Sequence, residues 1–358
     1  MRKAATVDFF LGALSPAGFT GWFAQAAAED GQTAWLIKAG PGCGKSTLMR
    51  RLLDAAGDPP AGQYNERLHC SSDPASLDGV RLPGAAALFL DATAPHTLDC
   101  KYPGADERVV SLYDALDNDA LARQSGQILA LGRRNADLMA RAAAHWALAC
   151  GLLARRRAEA ADLLDRDRLQ RYAARLAART MPPRRGAAPG AQAHRLLSAP
   201  TPGQITLFAD TVPALADRTI YVIRDPDGAA APRLLALLAD HARRNGYDAV
   251  LCHCPTDQAG KLDHLLLPGL GLGFVTANPW HPLSFPGQRT VQASRFRRAG
   301  TRPPRRSTRL AGALIRRTCE TQARAKAVHD ALEAPYVRAT DFAAVDAVRR
   351  RCEQALFG

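Results

Sequence analysis

Residues 34–38, AWLIK, are apolar and β-prone; a glycine-rich turn follows, and apolar residues recur at Leu48, Leu52 and Leu53 before Gly57. That pattern predicts a strand, a turn and a helix that stops at Gly57. The run AAALFLDAT, residues 85–93, is continuously apolar up to Asp91 and predicts a buried parallel strand. QYNERLHC, residues 63–70, predicts another strand. Over 108–180, apolar positions at three- and four-residue spacing alternate with many arginines, which predicts a helical hairpin turning near Gly151. Pro and Gly mark residues 181–192, MPPRRGAAPGAQ, as a linker. Residues 289–307 read as a basic loop and 308–357 as further helices.

The pattern occurs twice. LGALSPAGFTGWF (11–23) parallels LSAPTPGQITLF (197–208), and residues 34–53 parallel TIYVIRDPDGAAAPRLLALL (219–238). HCSSDPASLDGVRLPG (69–84) parallels HCPTDQAGKLDHLLLPG (253–269), and FLDATAPH (89–96) parallels FVTANPWH (274–281). Four blocks in one order at an offset near 186 indicate an internal duplication. The expected architecture is α/β: a mostly parallel sheet flanked by helices, duplicated, with a helical extension after each copy. The halves are 1–185, whose extension covers about 105–180, and 186–358.

The first turn reads Ala39-Gly40-Pro41-Gly42-Cys43-Gly44-Lys45-Ser46, which fits G-x-x-x-x-G-K-[ST] with Ala in the first position. Small residues let successive backbone N–H groups point inward as an anion nest, and the helix that follows aims its positive end at the same place. Lys45 would then reach the β- and γ-phosphates, Ser46 would ligate Mg²⁺ and Thr47 would face the α-phosphate. Asp91, at the carboxyl end of its strand, suits the metal-organising role of a Walker B carboxylate. Ala92 follows it where many fast ATPases place a water-activating Glu. That implies slow hydrolysis, a base elsewhere or transfer to another acceptor.

In the second copy Ala231 stands opposite Lys45, Pro232 opposite Ser46, Ala230 opposite Gly44 and Thr276 opposite Asp91. The second half is expected to keep its sheet and helix, lose phosphate chemistry, and serve as scaffold, lid or partner surface.

Other residues carry two readings each. Asp73, in SSDPASLD, either positions water, substrate or metal beside the nucleotide or starts a helix. His96 and Asp99 offer acid/base or sensing functions, or plain solvation. Cys43 is a filler of the nest and a candidate oxidation site. Cys252-His253-Cys254 alternate in direction along a strand, which argues against a zinc cluster.

Composition narrows the class. Apolar residues make up 47% and charged residues 23%, as in globular proteins. No apolar run approaches the roughly 20 residues of a membrane span, and Asp8 interrupts the only stretch resembling a signal peptide. Eight cysteines in so long a chain are expected to be reduced and mostly buried, as in a cytoplasmic protein. Net charge is +13, concentrated as +8 in residues 133–185 and +10 in residues 289–358. These segments form a solvated helical face or a surface for nucleic acid or an acidic protein.

LGALSPAGF (11–19), GPGCGKSTLM (40–49), HCSSDPASLDGV (69–80) and DATAPHTLDCKYPGA (91–105), in that order, resemble a family of bacterial P-loop ATPases found mainly in Gram-positive anaerobes and spore-formers. Its members have similar length and a duplicated P-loop half. The resemblance implies nucleotide binding and the two-half layout. RDPDGAAAPRLL (224–235) departs from the intact second loop common in that family. The expected activity is Mg-dependent ATP hydrolysis coupled to a conformational change between halves. Lys45, Asp91 and Asp73 are its catalytic candidates, residues 39–47 its nucleotide cradle, and Ser46 and Asp91 its Mg²⁺ ligands. The alternatives are a kinase for a nucleotide or other small molecule, and an ATP-gated adaptor acting through the basic segments. The chain has no guanine-reading N-K-x-D, which favours ATP over GTP.

Overall fold

The computed structural model of the chain describes residues 5–184, 186–302 and 308–358. The basic start at 1–4, Arg185 of the expected linker and residues 303–307 of the expected basic loop lie outside them. The first half runs β1 (Ala5–Phe10), β2 (Gly12–Ser15), β3 (Gly18–Gly21), α1 (Phe23–Ala27), β4 (Thr33–Lys38), α2 (Lys45–Ala56), β5 (Tyr64–His69), β6 (Leu77–Leu82), β7 (Ala87–Asp91) and β8 (Glu107–Ser111). Three helices follow: α3 (Asn118–Arg123), α4 (Ser125–Ala161) and α5 (Arg166–Thr180). The second half runs β9 (Gln192–Arg195), β10 (Ser198–Thr201), β11 (Gln204–Leu207), α6 (Thr211–Leu215), β12 (Thr219–Arg224), α7 (Ala230–Arg244), β13 (Ala249–Cys254), β14 (Asp257–Leu267), β15 (Leu272–Ala277) and β16 (Arg289–Gln292). It ends with α8 (Arg309–Arg338) and α9 (Phe342–Phe357).

Each half contributes one six-stranded sheet, and the two have the same order: β1-β5-β6-β7-β4-β8 and β9-β13-β14-β15-β12-β16. All neighbours are parallel except around β6 and β14, which run against both of their partners. The most apolar strands take the central places, as strands covered on both faces must. β4 pairs with β7 in the register Trp35↔Phe89, Leu36↔Leu90, Ile37↔Asp91, and β12 with β15 as Ile220↔Gly273, Val222↔Val275, Ile223↔Thr276. Asp91 and Thr276 therefore occupy equivalent strand ends. The internal duplication read from the sequence is a duplicated α/β sheet.

The halves share their interior. Leu36, Leu68 and Leu90 of the first sheet and Val222, Val250 and Val275 of the second lie in one buried cluster. Phe10 and Leu196 exchange backbone hydrogen bonds across the two edge strands. Arg195, 1% exposed, donates to Glu66 at 2.6 Å and Glu29 at 2.8 Å, both in the other half. Asp8 accepts from Arg67 and lies 2.7 Å from His69 Nε2, so its charge in the apolar N-terminal stretch is paired within the sheet.

The outer faces exchange helices. α5, which follows the first sheet, packs on α7 beside the second; α9, which follows the second, packs on α2 beside the first. Reciprocal backbone bonds fix the exchange. Asp117 N–H donates to Ala339 O and Asp341 N–H to Ala115 O; Arg298 N–H donates to Leu163 O and Asp165 N–H to Phe296 O. Asp165 and Asp341 each cap the helix they introduce. α4 and α8 run antiparallel between these points, with Leu138 against Ala325 and Val328, and Trp146, Ala149 and Cys150 in one cluster with Ile315.

Three local expectations change. α4 continues through Gly151, because Trp146, Ala149 and Cys150 keep one face buried and a glycine costs a helix only about 1 kcal/mol; the break comes at 162–165. Residues 289–296 of the expected basic loop are β16 and a 3-10 turn. SSDPASLD forms a turn into β6 and no helix. No helix among the described residues is long and apolar enough to cross a membrane.

Candidate functional site

The turn between β4 and α2 lies where a parallel sheet opens at its strand carboxyl ends. Gly44, with φ +84°, takes the left-handed conformation that turns the chain into α2. Among the described residues, the backbone N–H groups of residues 42–47 have no protein acceptor. The α8 end closes over the turn: a Cβ at Gly40 would stand 2.6 Å from the Tyr336 ring, and one at Gly42 would stand 2.9 Å from Val337 and 3.1 Å from Glu333. Cys43 is buried beneath the turn, its Sγ 3.4 Å from Pro41 O and 3.5 Å from Thr340 Oγ1.

Lys45 opens α2 and folds back into this turn, donating to Gly40 O at 2.8 Å and lying 3.4 Å from Asp91 Oδ2. Asp91 Oδ1 accepts from the N–H and hydroxyl of Thr93, so Oδ2 is the oxygen turned to Lys45. Ser46 Oγ accepts from Leu77 N–H at 3.0 Å, which ties the start of α2 to β6. The next residue, Asp78, joins Asp91 and His96 in a buried cluster whose ligand-type atoms all lie within 4.8 Å of one another. His96 Nε2 is 3.8 Å from Asp78 and 3.9 Å from Asp91, and its ring stacks on Phe23 at 4.5 Å. Those gaps exceed hydrogen-bond length. Asp78 Oδ2 and both His96 nitrogens are buried without hydrogen-bond partners.

The electrostatics follow from that crowding. Burial pushes the Asp78 carboxyl up, and the neighbouring Asp91 charge adds to it. Burial also pushes Asp91 up, but His96 and Lys45 outweigh it and hold that carboxyl below the usual range. His96 is raised above an ordinary histidine because Asp78 and Asp91 overcome its burial. Two carboxylates and an imidazole with orphaned atoms, beside a serine hydroxyl, form a donor set suited to an oxygen-preferring divalent cation such as Mg²⁺ or Mn²⁺.

The second turn, residues 225–229, is one residue shorter than the first, residues 39–44, enters its helix through Ala229 at φ −100° where the first uses Gly44 at φ +84°, and has the opposite content. Gly228, with φ +69°, matches Gly42. The Asp225 carboxylate accepts from Gly228 N–H at 3.1 Å, Ala230 N–H at 2.9 Å and Ala231 N–H at 2.8 Å. Counted from the helix starts at Lys45 and Ala230, the last two are the counterparts of the Lys45 and Ser46 amides. The second half thus fills with its own carboxylate the nest whose amides lack acceptors in the first. Asp227 beside it is held by Arg156 of α4, at 2.9 Å, and by Arg297. The end of α4 therefore meets the second turn as the end of α8 meets the first.

The structure brings Ala39 to Thr47, Lys45, Ser46 and Asp91 to one place. Asp73 lies beside α8. Its carboxylate accepts from Ala75 N–H at 3.3 Å and Ser76 Oγ at 3.1 Å, and Lys326 of α8 is 3.5 Å away. Asp99 is at the surface, 2.8 Å from Lys38. His96, expected in a turn-rich loop with solvation as one reading, is buried in the cluster. Asp78 was not singled out from the sequence, although Leu-Asp recurs before Leu-Pro-Gly in both copies as Asp78 and Asp263. Beyond Gly44 and Thr47, a cavity of about 380 Å³ opens between α2 and α9, lined by Arg51, Phe342, Asp346 and Arg349. Comparison with protein-family models, curated proteins and solved structures finds no match for the chain.

Proposed function

We propose that the first half binds Mg-ATP as a P-loop NTPase, hydrolyses it, and couples nucleotide state to the contact between halves. The observation that carries this reading is the contrast between the turns. The strand-to-helix turn of the second copy grips a carboxylate with its amides, and the amides of the corresponding turn in the first copy have no protein acceptor, with Lys45 and two buried carboxylates beside them. The Gly42–Lys45 amides and Lys45 would hold the β- and γ-phosphates. Ser46, Asp91 and Asp78 would hold Mg²⁺, which supplies charge neutralisation at the phosphate oxygens when bound. The cavity lined by Arg51 and Phe342 adjoins Thr47 and would take the base, with the exposed Phe342 ring available to its face. Glu333 and the carbonyl end of α8 lie against Gly42. Phosphate there repels both, which gives nucleotide binding a lever on a helix that reaches the second half.

Nucleotide binding and phosphate release by wild type and Lys45→Ala, with and without Mg²⁺, test the reading. Wild type should bind ATP only weakly without Mg²⁺, and Lys45→Ala should lose binding. Equal turnover by the two proteins would move the chemistry elsewhere. Ala92 after Asp91 favours one second reading, phosphoryl transfer to a small-molecule acceptor. Turnover that requires an added acceptor would select it.

A further inference from the structure

The second half kept part of the first half's cation cluster and changed the rest. Asp263 stands where Asp78 does, and His281 where His96 does. Thr276 replaces Asp91, and His264 replaces Gly79 on the neighbouring strand position. Asp263, His264 and His281 are 1%, 1% and 4% exposed, and their ligand-type atoms all lie within 4.8 Å of one another. Asp263 Oδ2, His264 Nε2 and His281 Nδ1 are each buried without a hydrogen-bond partner. So many orphaned polar atoms at one buried point need a common partner.

The distances say what kind. His281 Nδ1 lies 3.6 Å from Asp263 Oδ2, too far for a hydrogen bond. Two donors held about 2.0–2.1 Å from a zinc ion at tetrahedral angles stand about 3.3–3.4 Å apart. The outer contacts of His281 and Asp263 are those of ligands already oriented. His281 Nε2 is 2.8 Å from Ser198 Oγ, a bond that leaves Nδ1 facing the carboxylate. Lys261 takes Asp263 Oδ1 and leaves Oδ2 free. His264 Nδ1 accepts a long 3.3 Å contact from Thr276 N–H, which places the ring proton on Nε2; ligation through Nε2 moves that proton to Nδ1 and gives the contact up. A cavity lined by Trp146, Trp280, Cys254 and Lys261 reaches Asp263 and His281 and supplies an entry path.

We propose that the second half binds one zinc-class divalent ion on Asp263, His264 and His281, with the fourth position open to this cavity. Exchanging a carboxylate for a second imidazole moves the donor set from oxygen-rich toward nitrogen-rich, and the preference from Mg²⁺ toward Zn²⁺ or Co²⁺. The duplicated half has thereby given up its anion nest to Asp225 while keeping a cation site of altered selectivity. The Cys252-His253-Cys254 run takes no part as a cluster: Cys252 is buried in the shared core and His253 stacks on Trp22.

The full chain, stripped with EDTA, is titrated with Co²⁺ and separately with Zn²⁺. One equivalent of Co²⁺ should give the intense visible bands of a tetrahedral site, and Zn²⁺ should displace it and raise Tm. His264→Ala and His281→Ala should each weaken binding about 100-fold or more, since even outer-shell changes cost 10–100-fold. His96→Ala, in the other half, should leave the bands intact. Absence of both the bands and the Tm rise in wild type overturns the proposal whether or not the variants fold. Retention of the bands in His264→Ala and His281→Ala overturns it too, as does their loss in His96→Ala.

Discussion

Asp225 stands in for an anion, and its removal asks how much the nest needs one. Three backbone N–H groups, two of them on fully buried alanines, converge on its carboxylate. Asp225→Ala leaves the Ala230 and Ala231 N–H groups without an acceptor, while Gly228 N–H keeps the residue-225 carbonyl at 3.2 Å, and a buried unsatisfied donor costs about 1–3 kcal/mol. Removing the desolvated carboxylate offsets part of that, since burial pushes Asp225 up from an ordinary aspartate. The expected net loss is about 2 kcal/mol by urea unfolding. Sulfate at tens of millimolar should restore some of it in the variant, more than NaCl of equal ionic strength does, because a tetrahedral oxyanion can accept the same bonds. A variant as stable as wild type, indifferent to sulfate, would mean that these amides are satisfied without any anion.

At the scale of elements, helices and strands were legible because periodicity reports which face is buried. It does not report what buries it. The spacing in 308–357 announced helices, yet nothing in it says that α9 covers α2 of the other half, or that α8 ends on the first glycine turn. The pattern G-x-x-x-x-G-K-[ST] exposed Lys45 and Ser46, and the apolar run exposed Asp91. Asp78 lay hidden on β6 because one acidic residue in a short strand looks like a surface position until the antiparallel pairing carries it to Asp91. Gly40 belongs to the same level: its missing side chain admits Tyr336. Gly40→Ala should destabilise the protein by about 1–3 kcal/mol, the usual cost of overpacking. Tyr336→Ala should relieve most of that, so the double variant should be more stable than the sum of the single effects. Simple additivity in a double-mutant cycle would show that turn and helix end do not press on each other.

For the whole molecule, the two copies read from the sequence as halves 1–185 and 186–358 pack as one unit. The shared core draws apolar residues from both sheets. Arg195 is buried among carboxylates supplied by the other half, and breaking such a pair costs about 3–5 kcal/mol because the remaining charge has no solvent. Each outer helix covers its neighbour's sheet. A chain cut at 185 therefore gives a first fragment whose α2 lacks α9, whose Glu66 lacks Arg195 and whose α5 has no α7 to cover. Neither fragment 1–185 nor fragment 186–358 should fold alone. Each should elute as an aggregate or show little near-ultraviolet dichroism, whereas the two co-expressed should recover one complex with the spectrum of the intact chain. The intact chain should melt in a single calorimetric transition, since no surface divides it into parts with separate cores. Two transitions, or a first fragment that is monomeric and cooperatively folded, would show that the exchanged helices are appendages and that coupling between the halves has no structural basis.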